Sequence, residues 1–162
     1  MSLRGSTTVP ERIFASLPYL LPVLDGVIFG SSLFNQFPLL KIILLPLLPL
    51  FAVYNTTFLG VIPVSLIIFF ALFALVVRNE KIAHFIRFNT MQAILLDIVI
   101  FLCSLLLRLL SFIPGTAFTS ETLSSTIFLG TLIAVIYAVF QSLLGRYAEI
   151  PAISEAVYTQ VR

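Results

Sequence analysis

Four apolar stretches of membrane-spanning length dominate this chain, at about residues 13–34, 58–77, 88–110 and 123–144. A helix needs about 20 apolar residues to cross about 30 Å of hydrocarbon. Lipid offers no hydrogen-bond partners to the backbone, so such stretches must satisfy their own N–H and C=O groups as helices. Hydrophobic residues fill 60% of the 162 positions and charged residues only 10%, whereas soluble domains carry about 25% charged residues. The chain cannot solvate its own exterior with water. The expected fold class is all-α: a polytopic membrane protein, a four-transmembrane-helix bundle in one domain, 1–162.

A fifth apolar run, "FPLLKIILLPLLPLFAVY" (residues 37–54), carries Pro38, Pro46, Pro49 and Lys41. Proline removes a backbone donor and clashes with the preceding turn. The run therefore reads as a proline-broken interfacial or re-entrant segment between the first and second spans. Charge supports this choice. With four spans, Arg4, Arg12, Arg78, Lys81, Arg87, Arg146 and Arg162 share one side, and Lys41 and Arg108 the other. A fifth crossing would weaken that asymmetry. The positive-inside rule then puts both termini on the cytoplasmic or stromal side.

The spans carry packing signals. Thr126, Gly130, Ala134, Ala138 and Ser142 recur at four-residue steps in the last span, and Pro18, Pro22, Gly26 and Gly30 in the first. Small residues let helices approach closely where van der Waals contact replaces the hydrophobic drive. Such stripes suit a tight bundle and also a homo-oligomer. Pro18 and Pro22 should loosen the first span just before Asp25.

The polar residues concentrate in "VVRNEKIAHFIRFNTMQAILLDIVIF" (residues 76–101). Arg78, Lys81, His84 and Arg87 read as a positive-side collar at the mouth of the third span, with His84 in a solvated loop. Asn89, Gln92, Asp97 and Arg108 share one arc of about 160° on a helical wheel. A charge in mid-membrane costs about 2.5–3.5 kcal/mol, so Asp97 should face protein or water. Arg108 stands about 16 Å along the helix, too far to pair with it; it can snorkel. Tyr137 and Gln141 are the expected partners of Asp97. Asp25, Asn89, Gln92, Asp97 and Arg108 are thus candidates either for a polar path or for cross-links between helices.

Enzymatic chemistry has little to work with. The chain has one His and one Cys, nineteen positions apart, and no cluster of metal-ligand spacing. There is no G-x-S-x-G, no glycine-rich phosphate loop and no H-E-x-x-H. Cys103 reads as a small buried apolar residue. No catalytic residue, cofactor or metal is expected, and a net charge of +2 gives no reason to expect a nucleic-acid partner. Nothing before Ile13 resembles a cleavable signal. The tail 145–162 reads as amphipathic, with a short helix after Pro151 that has Ile153, Val157 and Val161 on one face and lies near the loop after Val77.

"RIFASLPYLLPVLDGVIFG", "IPVSLIIFFALFALVVRN", "HFIRFNTMQAILLDI" and "IPAISEAVYTQVR" together resemble the twenty-kilodalton subunit family of the translocon at the inner envelope membrane of chloroplasts, in its cyanobacterial or plastid-encoded form. The block from Arg78 to Asp97 is the most specific part: Arg78, Asn79, His84, Phe85, Arg87, Phe88, Asn89, Gln92 and Asp97 match the family's motif. The resemblance implies four membrane helices with both termini in the stroma. It implies a channel or channel-core role for preproteins, alongside other translocon subunits, with no cofactor or enzymatic activity. The expected location is the plastid inner envelope or a cyanobacterial membrane. A structural or assembly subunit of a larger membrane complex, without conduction of its own, is the alternative. A small-solute carrier is less well supported, because no internal repeat of the kind common in transporters is visible.

Overall fold

The computed structural model describes residues 7–161; Arg4 and Arg162 of the expected charge asymmetry lie outside them. Helix α1 (Val9–Gln36) starts at a capping box. Thr8 Oγ1 accepts from the Glu11 N–H, and the Glu11 carboxylate accepts from the Thr8 N–H at 2.7 Å. This satisfies two N-terminal donors that a helix otherwise leaves open. Tighter 3₁₀ turns interrupt α1 at Leu17–Tyr19, beside Pro18, and at Val27–Gly30. The helix runs through both.

Short helices α2 (Leu39–Leu44) and α3 (Leu45–Tyr54) follow. A two-stranded ribbon, β1 (Thr57–Phe58) and β2 (Ile62–Pro63), then turns through Leu59 and Gly60, both at positive φ. Helix α4 (Val64–Val77) leads to the long helices α5 (His84–Ser111) and α6 (Ala117–Leu143), and α7 (Ile153–Gln160) closes the described chain.

Three helices, α1, α5 and α6, are long and apolar enough to cross a membrane. Helix α4 is shorter than the apolar stretch 58–77 suggests. Its fourteen residues span about 21 Å at most. The reason is local: Pro63 stands at its N-cap, and the apolar residues before it are spent on the ribbon. Apolar composition alone cannot separate a helix from a hairpin. Helix α5 departs the other way. It begins at His84, so His84 and Arg87 lie in its first turns and not in a loop.

Helix α5 is the axis of the bundle. Residues 87–94 are all buried, so its first half is enclosed on every side. In its second half Leu102, Leu106 and Leu109 are exposed, as expected of a surface wetted by lipid. One core cluster joins Tyr19, Phe29 and Phe34 of α1 to Ala93, Leu96 and Ile100 of α5 and to Phe128, Val135 and Ala138 of α6. A second gathers Val77 of α4, Phe88, Met91 and Ile94 of α5, and Val157 and Val161 at the tail.

Both glycines of the α1 stripe sit at the contact with α6. A Cβ on Gly26 would lie 3.1 Å from Thr131, and one on Gly30 would lie 2.6 Å from the Phe34 ring and 3.1 Å from Phe128. The space over Gly30 admits the edge-to-face Phe34–Phe128 pair, with centroids 5.2 Å apart. The α6 stripe behaves differently. The buried face of α6 is Phe128, Thr131, Val135, Ala138 and Ser142. Gly130 is exposed with open space around it, and Ala134 is half-buried. Steps of four residues advance about 40° beyond a full turn each time, so a stripe built on them curls off a straight interface. Alternating steps of three and four stay on it, and Ala138 and Ser142 belong to both series.

Gly30→Leu should therefore destabilise the chain by about 1–3 kcal/mol through overpacking, while Gly130→Leu should shift it by less than about 0.5 kcal/mol. SDS titration of the micelle-bound chain, followed by circular dichroism, checks both. Equal effects would contradict the packing described.

Candidate functional site

The polar residues of α5 serve two separate places. The first is a buried joint. Asn89, with no exposed surface, accepts through Oδ1 from the Tyr19 hydroxyl at 3.0 Å and faces the Ser142 hydroxyl at 2.8 Å. Its Nδ2 donates to the Phe85 carbonyl at 2.8 Å. Ser142 Oγ also lies 2.8 Å from the Ala138 carbonyl; with one hydroxyl proton it serves one acceptor at a time. One amide thus links α1, α5 and α6. Gln92 is equally buried but lies outside this joint: among the described residues, its Nε2 and Oε1 have no hydrogen-bond partner.

The second place is a cleft of about 490 Å³ between α1, α3, α4 and α5. Asp97 of α5 and Asp25 of α1 both line it. Asp25 Oδ2 accepts from the Tyr54 hydroxyl of α3 at 2.8 Å. The expected pairing of Asp97 with Tyr137 or Gln141 is not what the structure shows. Asp97 shares the cleft with Asp25 of α1, Tyr137 is largely exposed on α6, and Gln141 Oε1 has no partner among the described residues. The wheel explains the difference. Asp97 and Asn89 point about 80° apart around α5, enough to face different neighbours. Ser65, Ser104 and Arg108 complete the polar lining; Ile28, Phe29, Phe69 and Phe101 are among its apolar walls. Ile28 and Phe101 are well exposed, so this is a cleft with an open side.

The collar residues divide as well. Arg78 and Lys81 are exposed, with the Arg78 guanidinium 5.9 Å from the centre of the Phe73 ring. Arg87 is buried, and its Nε donates to the Val77 carbonyl at 2.9 Å, satisfying an end-of-helix acceptor of α4. His84 contacts the tail: Nδ1 lies 3.0 Å from the Tyr147 hydroxyl and Nε2 3.4 Å from the Val161 carbonyl. Phe85 and Phe88 both meet the Tyr147 ring edge-on.

Sequence reasoning missed Tyr19, Tyr54 and Tyr147. For Tyr19 and Tyr54 the signal was present, since a buried Tyr in an apolar helix usually aims its hydroxyl at a partner; Tyr147 is half-buried in the connection after α6. The partner's identity was not legible, because the bonded residues lie 70, 29 and 63 positions away.

Apolar helices with lipid-facing outer surfaces around a buried amide joint and an acid-lined cleft define a polytopic integral membrane protein. The chain belongs to the Tic20 family: the family described as "Chloroplast import apparatus Tic20-like" matches residues 6–157. It is 46% identical to a Tic20 family protein of Synechocystis sp., over 100% of this chain and 99% of that protein. It is 34% identical to Protein TIC 20-v, chloroplastic, of Arabidopsis thaliana, over 96% and 73%. To the Tic20 family protein Ycf60 of Gracilaria tenuistipitata var. liui it is 33% identical, over 95% and 76%. The resemblance read from the four sequence blocks is thus established.

Two outcomes follow from this geometry. Asn89→Leu leaves the buried Tyr19 hydroxyl without its acceptor, while Ser142 keeps the Ala138 carbonyl, and should cost about 1–3 kcal/mol. Tyr19→Phe should cost only about 0.6 kcal/mol, the usual scale of a hydrogen bond between membrane helices. SDS titration of the single and double variants should show them non-additive. In a Cys103→Ser background, cysteines at Ser104 and Ser65 should react with an impermeant thiol reagent, while one at Ala93, fully buried, should stay protected. Equal protection of all three would show the cleft to be dry.

Proposed function

We propose that this chain is a membrane-embedded subunit of a protein-translocation apparatus, and that it lends the cleft between α1, α3, α4 and α5 to a path for preproteins that other chains complete. Membership of a family described as chloroplast import apparatus carries the reading. The open, acid-lined cleft supports it. At about 490 Å³, it is several times smaller than the roughly 2,400–3,400 Å³ cylinder needed to take a helix across the hydrocarbon. Further translocon subunits, or further copies of this chain, must supply the rest of the wall.

The reading includes four crossings with both termini on the positively charged, stromal or cytoplasmic side. Several contacts support it. Tyr19 near the start of α1, Asn89 near the start of α5 and Ser142 at the end of α6 meet at one level. Arg87 holds the end of α4 at that same end of the bundle, and the tail packs there through Val157 and Val161. Helix α4 therefore descends from the far side, where α1 ends, with the ribbon before Val64 making up its short length. Helices α2 and α3 act as a re-entrant segment. Tyr54 reaches Asp25, the seventeenth of the twenty-eight residues of α1, so α3 ends close to mid-depth. The single domain then comprises this bundle with its amphipathic tail.

The assembly-subunit alternative draws on the buried Asn89 joint, which fastens helices and conducts nothing. A precursor stalled part-way through translocation separates the two. It should cross-link to a photoreactive residue replacing Phe101 in the cleft and not to one replacing the lipid-facing Phe140. Cross-linking at neither position, while the stalled precursor remains in the same membranes, would favour the assembly role.

A further inference from the structure

Two carboxyl groups, Asp25 and Asp97, line the same cleft, and the charged groups nearby do not balance them. Asp97 is only 7% exposed, and its Oδ1 has no hydrogen-bond partner among the described residues. Its neighbour Asp25 is half-buried and accepts one hydrogen bond, from Tyr54. Arg108 lines the same cleft but stands about 16 Å along α5 and is exposed, so its influence on the pair is weak. Carboxyl groups that share a site away from bulk water need a shared proton or a positive charge between them. The cleft is built for more than a proton, because it opens to the surface and is walled by Phe29, Phe69, Ile98 and Phe101. Ca²⁺ takes six to eight oxygen ligands, and the described residues hold no group of three His, Cys, Asp or Glu that could bind a metal. Apolar walls ending in carboxylates suit an ammonium or guanidinium on an aliphatic stem. The walls cover the stem, and the rings offer their faces to the cation.

We infer that Asp25 and Asp97, with Tyr54 holding Asp25 in place, receive the lysine or arginine side chains of a polypeptide in the cleft. That the carrier is a polypeptide rests on the translocation role proposed above; the cation preference rests on the cleft itself.

The test uses the full chain in lipid nanodiscs and a fluorescent lysine-rich peptide, read by anisotropy and compared with the same peptide acetylated on every lysine. Acetylation, and the Asp25→Asn/Asp97→Asn double variant, should each weaken binding by at least about tenfold. Asp97→Glu, which keeps the charge, should retain most of it. Should the double variant fail to fold, Asp25→Asn alone carries the comparison, since that side chain is half-buried. Unchanged binding by the folded Asn variants overturns the inference, as does full displacement of the peptide by potassium at matched ionic strength, which would mark a small-cation site. The stalled-precursor cross-link at Phe101 separates this from the broader reading. A retained precursor cross-link with charge-independent peptide binding overturns the cation inference alone. A lost cross-link with charge-dependent peptide binding overturns the translocation role and leaves the cation site.

Discussion

One buried amide fixes the geometry on which the other contacts depend. Asn89 ties the α1 hydroxyl of Tyr19 and the α6 hydroxyl of Ser142 to α5 at one level of the bundle. In water, apolar burial would hold three such helices together. In lipid the surroundings are as apolar as the core, so packing and hydrogen bonds carry the specificity. The joint sets the depth at which the helices align. Below it, Gly26 and Gly30 let α1 approach α6 until Thr131 and Phe128 touch its backbone surface. Moving one helix by a turn would break the amide joint and separate the Phe34 ring of α1 from Phe128 of α6.

With that alignment set, α5 can do two things along its length. Its enclosed half holds the bundle, including the tail, through His84, Phe88 and Ile94. Its open half has only one side against protein, and there Asp97, Ser104 and Arg108 line the cleft. The two roles are compatible because they are separated in depth. A polar group at Asn89's level must be satisfied by protein, whereas one at the cleft can be met by water or by a passing group. The opposite wall is more loosely held. The first eight residues of α4, Val64–Ala71, contain no buried residue, and α4 is fastened chiefly at its other end, where Arg87 binds the Val77 carbonyl.

Much of this was legible in the sequence, and the rest failed for identifiable reasons. Long apolar runs announced α1, α5 and α6, because chain length and hydrocarbon thickness are fixed quantities. The same runs could not reveal that residues 58–63 form a ribbon, since a hairpin and a helix can be equally apolar; Pro63 and Gly60 were the only cues. The glycine pattern of α1 marked a real contact. That of α6 did not for Gly130, since steps of four drift around a helix while the neighbouring surface stays put. Family resemblance singled out Asn89 and Asp97 together, yet only the structure separates them: Asn89 meets residues 70 and 53 positions away. Contacts of that range are set by how helices are arranged, which periodicity within one helix does not encode.

The cleft also constrains how such a subunit can work. Its acidic residues lie near the middle of α1 and α5, and a charge at the middle of a membrane helix is the most costly to hold in lipid. A helix bundle concerned only with stability would do better with two apolar residues there, because removing buried charge is commonly neutral or stabilising. Helix α3 brings the buried Tyr54 against α1, where its hydroxyl donates to Asp25. Non-helical backbone at membrane depth is tolerated only where it is buried in protein or lines a wet cavity; the ribbon at Thr57–Pro63 is exposed, and only Pro63 reaches the wall of the cleft. The acids, the broken segment and the loosely held α4 therefore make physical sense together. Each is expensive in a closed, dry bundle, and each becomes affordable when the cleft is hydrated and its open side faces another subunit.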